Sequence, residues 1–465
     1  MEVVATRRKK TKTNPKDRIN NNQEPDPDRI STLPDCVLGH IVFLLPTTDG
    51  ARTQILSSRW RHLWRSAPLN LDCHGFGGAW PACVNLISHA RHAHGGPVRR
   101  LILSTSRHPA VQSCIDHFLL RCPAMDTLEE LEFFYARSSP PPPPPSFPAP
   151  AASRFASTLC SASFGFCHFS EETARTLVFP VLKNLVLREV SISEESLQLL
   201  LAGCHALQSL VLSETFGFRS FRLVSPSLRS IGVSVGAARE IVLEELIVED
   251  APCLEWLLFP SLLCSRLHVR VIAAPKLEAL GWLPDARPRL NLGIDVPREL
   301  KTNTLSLTMV MRSVKILALR TLYLSLDVGI NLMVCFPCLT SLYISSIERG
   351  DEESNVRHIE QLGHIECINH HLKKIVISRF VMNCMSQVNF VKFFVLNARV
   401  LQLMRLELPE GCMHCKWMEM LPELLQIKDR ACDANFDFCT DGKRWLSCPV
   451  SLKRVTDLSR ADPFV

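Results

Sequence analysis

At 465 residues and 46% hydrophobic composition, the chain is long enough for two to four compact units and apolar enough to bury sizeable cores. Much of its formal net charge of +6 sits in Arg7, Arg8, Lys9, Lys10, Lys12 and Lys16, and the remainder is close to neutral, which argues against a broad electrostatic footprint for DNA or RNA. Nineteen cysteines, odd in number and set in apolar runs such as Leu262–Leu263–Cys264, argue against a disulfide scaffold and fit reduced thiols.

Residues 1–27 are rich in Lys, Asn, Pro and Asp and lack aromatic residues, so they read as a disordered basic tail. No apolar stretch follows the basic residues, and no run reaches the roughly 18 apolar residues of a membrane span. The expectation is a soluble protein of the nucleus and/or cytoplasm that engages no membrane. RRKKTK reads either as a nuclear-import signal or as a solvated end.

From Asp28 the pattern changes. In TLPDCVLGHIVFLLP, Val37, Leu38, Ile41, Val42 and Leu45 recur at helical spacing, with Thr32 and Asp35 placed as a capping box and Pro46 as the stop. A second helix is predicted from Thr48–Asp49, with Ala51, Ile55, Leu56 and Trp60 on one face over about three turns. Leu63 and Trp64 extend that apolar surface, and Arg59, Arg61 and Arg65 lie at its margin. The Arg–Trp mixture in ILSSRWRHLWRS admits nucleic-acid stacking, but this sorting by face favours a protein partner, with arginine stems covering apolar area.

Strand-like pieces follow at Val98–Ser104 and Leu128–Phe134, and then SSPPPPPPSFPAPAAS. Pro140–Pro145 is expected to form a polyproline helix that cannot join a sheet ladder, most simply as a loop insertion. From Phe179 a unit recurs, a Pro-containing entry followed by Leu-x-x-Leu-x-Leu or a close variant. Copies lie at Leu182–Leu185–Leu187, Leu207–Leu210–Leu212, Leu228–Ile231–Val233, Leu254–Leu257–Leu258, Leu277–Leu280, Leu339–Leu342–Ile344, Leu372–Ile375–Ile377 and Leu401–Met404–Leu406. Most are about 21–33 residues apart, near the roughly 20–29 of leucine-rich repeats. SISEESLQLLLAGC supplies one repeat helix, with Ser193 as cap and Leu197, Leu200 and Leu201 facing the strands. The expected architecture is α/β, a small helical N-terminal unit followed by an irregular, curved leucine-rich-repeat solenoid of parallel strands and short helices. Its concave or loop surface is the natural binding site.

Candidate chemistry is thin. GVSVG at 232–236 matches the G-x-S-x-G pattern, but Val233 is a repeat-strand position and Ser234 reads as a solvent-side neighbour. CFPC (335–338) and CMHC (412–415) lie too far apart in sequence for a zinc ribbon, and CFPC coincides with a repeat entry. No phosphate-binding loop, dinucleotide turn or H-E-x-x-H occurs. The expectation is no enzyme, no catalytic residues, no cofactor, no metal and no nucleic-acid partner.

DRISTLPDCVLGHIVFLLPTTDGARTQILSSRWRHLWRSAPLNLD (28–72) resembles the F-box of plant F-box/leucine-rich-repeat proteins, through Leu33–Pro34–Asp35, Ile41…Leu44–Leu45–Pro46, Arg52–Thr53, Leu56–Ser57 and Arg59–Trp60–Arg61…Leu63–Trp64. HHLKKIVISRF and VKFFVLNARVLQLMRLEL resemble the FBD region of that family, a strand followed by a helix and another strand. VTDLSRADPF (455–464) is similar to the tail of grass members, whereas the proline stretch and 285–320 fit poorly. The resemblance divides the chain into a tail (1–27), F-box (28–72), start of the repeats (73–136), proline-rich loop (137–153), leucine-rich repeats (154–370) and FBD-like repeat region (371–465). It implies a substrate-recognition subunit of a Skp–cullin–F-box ubiquitin ligase. The F-box would dock on a Skp-type adaptor and through it on cullin, and the repeats would hold a protein substrate. A non-degradative scaffold that binds the same adaptor is the alternative. Carried over residue by residue, Leu33, Pro34, Ile41, Leu44, Leu45, Leu56, Trp60 and Trp64 serve the adaptor contact or the small core beneath it.

Overall fold

The recurring leucines become a ladder of parallel strands. The structure, a computed structural model, describes residues 29–45, 47–72, 94–105, 125–137, 143–236, 239–260, 267–284, 305–307, 310–321, 333–346, 365–381, 384–408, 421–423, 425–427, 430–440 and 455–464. The chain divides into two compact units, Met1–Ala67 and Pro68–Val465.

The first unit holds helices α1 (Asp35–Leu44), α2 (Thr47–Arg52) and α3 (Ser58–Ser66), with a 3₁₀ turn at Thr53–Ile55 between α2 and α3. The long second helix predicted from Thr48 is therefore two helices. The break has a local cause: the Ser57 hydroxyl accepts a hydrogen bond from the Trp60 N–H and starts α3 afresh. The capping box at Thr32 does not form either. Pro34 precedes α1, Thr32 Oγ1 donates instead to the Arg29 carbonyl, and Asp35 is the first-turn acid.

In the second unit, fourteen strands form one parallel sheet among the described residues. In chain order the strands are β1 (Leu69–Asp72), β2 (Val98–Thr105), β3 (Glu130–Tyr135), β4 (Ser161–Gly165), β5 (His168–Phe169), β6 (Asn184–Arg188), β7 (Ser191–Ile192), β8 (Ser209–Ser213), β9 (Ser220–Val224), β10 (Ser230–Ser234), β11 (Glu245–Asp250), β12 (Trp256–Leu258), β13 (His268–Val271), β14 (Ala279–Pro284), β15 (Leu305–Leu307), β16 (Ile316–Thr321), β17 (Ser341–Ser346), β18 (Lys374–Ser378), β19 (Leu403–Leu408) and β20 (Asn435–Thr440). The large sheet runs β1-β2-β3-β4-β6-β8-β10-β12-β14-β16-β17-β18-β19-β20, so each strand pairs with its neighbours in repeat order. Leu101, Leu131, Ala162, Leu185, Leu210, Ile231, Leu257, Leu280, Leu317, Leu342, Ile375 and Met404 stack in register as one buried column. A strand's leucines are thus covered only because its neighbours exist.

The layer behind this sheet changes along the chain. After a short α4 (Ala149–Ser153), helices α5 (Glu171–Thr176) and α6 (Glu194–Ala202) start on the same signature: Ser170 and Ser193 each accept a hydrogen bond from the N–H three residues on, ahead of a Glu–Glu pair. Leu197 and Leu200 of α6 are buried, whereas Leu201 is only half-buried. Further on, the second layer is built of strands among the described residues. β9, β11, β13 and β15 form a second parallel sheet: SFRLV and HVRV alternate between buried and exposed positions, and ELIVED buries Leu246, Ile247 and Val248. Helical residues return at 333–335 and then in α7 (Glu366–His370) and α8 (Met385–Asn397).

Some repeats escaped the leucine pattern. β16 lies in the poorly fitting 285–320 stretch, where Val314, Leu317 and Leu319 take the repeat positions without the entry proline. β4 uses Leu159, Ala162 and Phe164. Residues 285–304 and 308–309 lie outside the described residues, as do 1–28, 412–415 and the first half of the proline run, 140–142. At the end of that run the chain does join a β layer. The Pro145 carbonyl accepts from the His168 N–H, Ser146 bridges to β5, and buried Phe147 stacks on Phe169 at 4.4 Å. A proline lacks the donor but keeps the acceptor, and one bridge needs no more.

Truncating one member of the buried column tests the ladder. Leu342→Ala, at a fully buried site between β16 and β18, is expected to cost about 2–5 kcal/mol. Urea denaturation followed by tryptophan fluorescence would show it.

Candidate functional site

Two surfaces hold the candidate residues, one in each unit. In the first unit, Leu38, Val42, Trp60, Leu63 and Trp64 are buried and form the core. A Cβ on Gly50 would lie 2.7 Å from the Trp64 ring, so α2 carries glycine where the indole packs. The sequence-derived candidates separate accordingly. Trp60 and Trp64 are core residues, while Leu33, Ile41 and Leu45 are half-buried. Pro34 is exposed, as are Leu44 (67%) and Leu56 (62%). Ile55, expected on the same buried face as Trp60, is 85% exposed, because the 3₁₀ turn rotates it and Leu56 away from α3. Val37, expected on the apolar face of α1, is exposed, as is Ile30, which the sequence reading did not single out.

Arg59 is not a free marginal charge. Its Nε donates to Asp35 Oδ1 at 2.7 Å, Nη1 to the Ser31 carbonyl at 2.6 Å and Nη2 to the Leu33 carbonyl at 2.5 Å. One guanidinium therefore ties the start of α3 to the entry of α1. Arg61 and Arg65 remain exposed.

In the second unit the open face of the large sheet, opposite the leucine column, changes character along the ladder. Near its start the outward side chains are charged, with Arg100 beside Glu130 and Glu132 at 3.6 and 2.5 Å. Near its end Arg405 pairs with Asp437 at 2.7 Å. Between them the face is apolar: Val211, Trp256, Leu258, Trp282, Ile316, Tyr343 and Val376 form one buried cluster with Val455 and Phe464. Residues 455–464 lie across this face and cover it. The Val455 carbonyl accepts from Ser209 Oγ, and Asp462 accepts from Tyr343 Oη at 2.5 Å with Lys374 Nζ 3.6 Å away. The Phe464 ring packs edge-on to Trp282 at 5.7 Å and tilted against Tyr343 at 5.3 Å. Burial, followed by the hydrogen bond to Asp462, pushes the Tyr343 phenol well above its ordinary range.

Two local features make this face. The register between β14 and β16 shifts between Leu280 and Leu283, so Gly281 and Trp282 oppose the single Ala318. Gly281 has φ +140, and a Cβ there would sit 2.2 Å from the Ala318 carbonyl, so only glycine fits. At Gly232 the requirement is space: a Cβ would lie 2.8 and 2.9 Å from the two Val455 methyl carbons. This glycine belongs to the GVSVG match.

The remaining candidates are placed as follows. Ser234 ends β10 and is buried, not solvent-side as expected, and it lies in a strand, without the strand-to-helix turn a nucleophile elbow needs. Cys335 is buried and its thiol is pushed up to about 11, while Cys204 and Cys367 rise to about 12, each by burial, which makes them poor nucleophiles and ligands. Among the described residues no group of three or more His, Cys, Asp or Glu is placed to hold a metal ion, and no helix is long and apolar enough to cross a membrane.

Comparison with known proteins matches this geometry in order along the chain. Residues 30–72 match the F-box domain, 117–344 match the model described as FBD-associated F-box protein At5g56370, LRR repeats, and 360–406 match FBD. The chain belongs to the plant F-box/leucine-rich-repeat proteins with an FBD region. Its FBD match takes in β18, the whole of α8 and the first four residues of β19, the strand–helix–strand order expected from the resemblance. Among Arabidopsis thaliana relatives, one named for F-box, FBD and LRR repeats is 24% identical over 403 residues, covering 81% of this chain and 88% of its own length. Two named for an F-box and LRR repeats are 27% identical over 320 residues (64% and 66%) and 30% identical over 272 residues (55% and 52%). For others the match spans 38% of the relative's length.

Substitutions at two positions test the geometry of this F-box/repeat chain. Arg59→Ala is expected to cost about 1 kcal/mol, a charge-assisted network discounted for partial exposure. Arg59→Lys should not restore it, because one ammonium cannot hold three spread acceptors; thermal unfolding of the two variants would show this. Gly232→Leu should push Val455 off the sheet and speed amide exchange in 455–464, with exchange in β8 and β10 unchanged, as read by mass spectrometry.

Proposed function

We propose that the chain is the substrate-recognition subunit of a Skp–cullin–F-box ubiquitin ligase, with the first unit docking on a Skp-type adaptor and the repeats holding a protein substrate. F-box/LRR proteins are generally non-catalytic adaptors, and the matched domains support that role here. The observation that carries the reading is the exposed apolar set Pro34, Leu44, Ile55 and Leu56 on a helical unit whose core is made by other residues. Exposed leucines and isoleucine on so small a unit are an interface cost unless a partner covers them. The chain's contribution to ubiquitin transfer would be proximity: tethering raises the effective concentration of substrate at the conjugating enzyme without any bond being made by this chain. We place this activity in the nucleus or cytoplasm, with Arg7–Lys12 as the import signal in the first case.

The test separates contact from core. Leu44→Arg with Leu56→Arg is expected to reduce co-purification of the Skp-type adaptor and cullin by about tenfold or more while leaving the thermal unfolding profile in place. Trp60→Ala should lose both, since it empties the core. Adaptor capture by the double variant at the level of the unaltered chain would sink the assignment. Capture of the adaptor with no bound protein stabilised by proteasome inhibition would make the chain a non-degradative scaffold instead.

A further inference from the structure

The outward side chains of a repeat sheet ordinarily face water and are polar, as Arg100, Glu130, Glu132, Arg405 and Asp437 are here. Residues 256–376 break that rule with two tryptophans, a tyrosine and aliphatic residues on the outward face. The leucine column already supplies the core on the opposite face, so the ladder does not require this second apolar surface. We propose that it is a docking groove for a peptide of a partner protein carrying an acidic residue two positions before an aromatic one, and that residues 455–464 are its resident occupant, exchanged when the partner binds.

The chemistry of the partner is read from the groove. Lys374 Nζ donates to Tyr343 Oη at 2.5 Å and lies 4.9 Å from the centre of the Tyr343 ring, and the phenol in turn donates to Asp462. A cation and a phenol O–H thus converge on one carboxylate. Beside them the Trp282 and Tyr343 rings hold one aromatic side chain, filled by Phe464. The spacing between acid and ring is set within the occupant: the Phe464 N–H donates to Asp462 Oδ1 at 3.0 Å, folding the two residues into one compact unit.

Two observations mark the occupant as exchangeable. It is held by side-chain anchors and a hydroxyl-to-carbonyl bond and adds no strand to the sheet. Its fit also leaves polar groups unmet: Ser230 Oγ and Trp282 Nε1 are buried without a hydrogen-bond partner. A peptide that offers acceptors to these two groups gains what the resident segment forgoes. The inference deepens the proposed role, resting on it only for the fate of a bound partner, and its test uses no ligase component.

The probe is a fluorescein-labelled synthetic peptide, VTDLSRADPFV, added to the full chain and to the full chain carrying Asp462→Ala and Phe464→Ala. A tethered occupant competes at an effective concentration on the order of millimolar. The double variant should therefore bind the peptide at least about tenfold more tightly than the unaltered chain. Replacing the Asp or the Phe of the peptide by Ala should lower its affinity by at least about tenfold, while Lys374→Glu should abolish binding of the original peptide and restore binding of one with Lys in place of that Asp. Absence of peptide binding to a double variant that keeps its unfolding transition would overturn the proposal and make 455–464 a fixed part of the fold. Should the double variant fail to fold, amide exchange on the unaltered chain decides. Excess peptide is expected to deprotect 455–464, and unchanged protection at millimolar peptide would overturn the proposal.

Discussion

Backbone pairing between successive parallel strands is the constraint on which the second unit depends. A five-residue strand with two or three inward apolar side chains buries little by itself, and its N–H and C=O groups are met only by the strands before and after it. The column from Leu101 to Met404 is therefore a cooperative object. Each residue is fully buried because its neighbours hold register, and the register is kept across strands as different as SASFG and SLYISS. Variation is tolerated where it leaves this register alone: helix gives way to strand in the layer behind, and the bulge at Gly281–Trp282 is absorbed by the single Ala318 opposite.

That bulge has a consequence for the open face. It turns Trp282 outward, beside Trp256 and Tyr343, and so completes an apolar surface where a repeat sheet usually presents polar groups. Residues 455–464 meet this surface side chain by side chain: Val455 over Gly232, Asp462 on Tyr343 and Lys374, Phe464 against the two rings. The two units solve opposite problems. The F-box unit buries its tryptophans and leaves Leu44, Ile55 and Leu56 uncovered, whereas the repeat unit covers its outward aromatics with its own chain.

Much of the fold was legible because its signals are local. Alternation of Leu and Ile at repeat spacing marks a strand wherever the inward positions are occupied by the expected residues, and the Ser–Glu–Glu start of α6 marks a capped helix. β4 and β16 were missed because Ala162, Phe164 and Val314 fill inward positions with residues outside the leucine pattern, although the backbone ladder needs only apolar volume there. The second sheet was missed for a related reason: SFRLV and ELIVED carry strand propensity, but only their neighbours in adjacent repeats make them pair. In the F-box Trp60, Leu63 and Trp64 are buried together as expected while Ile55 and Leu56 are exposed, since one serine hydroxyl and a 3₁₀ turn reset the helical phase between Ile55 and Trp60.

By itself, the sequence determined the class of the chain: an F-box ahead of parallel leucine-rich repeats and an FBD region, since hydrophobic spacing, caps and short motifs act over a few residues. Only the tertiary structure decided which apolar residues are core and which are surface, because that depends on where a helix restarts and which way a bulge turns a side chain. It alone brought Val455, Asp462 and Phe464 onto strands more than a hundred residues earlier, with Ser209 Oγ meeting the Val455 carbonyl across 246 positions. No pattern in DLSRADPF names its acceptors, because Lys374, Tyr343 and Trp282 become neighbours only when their strands are stacked in register.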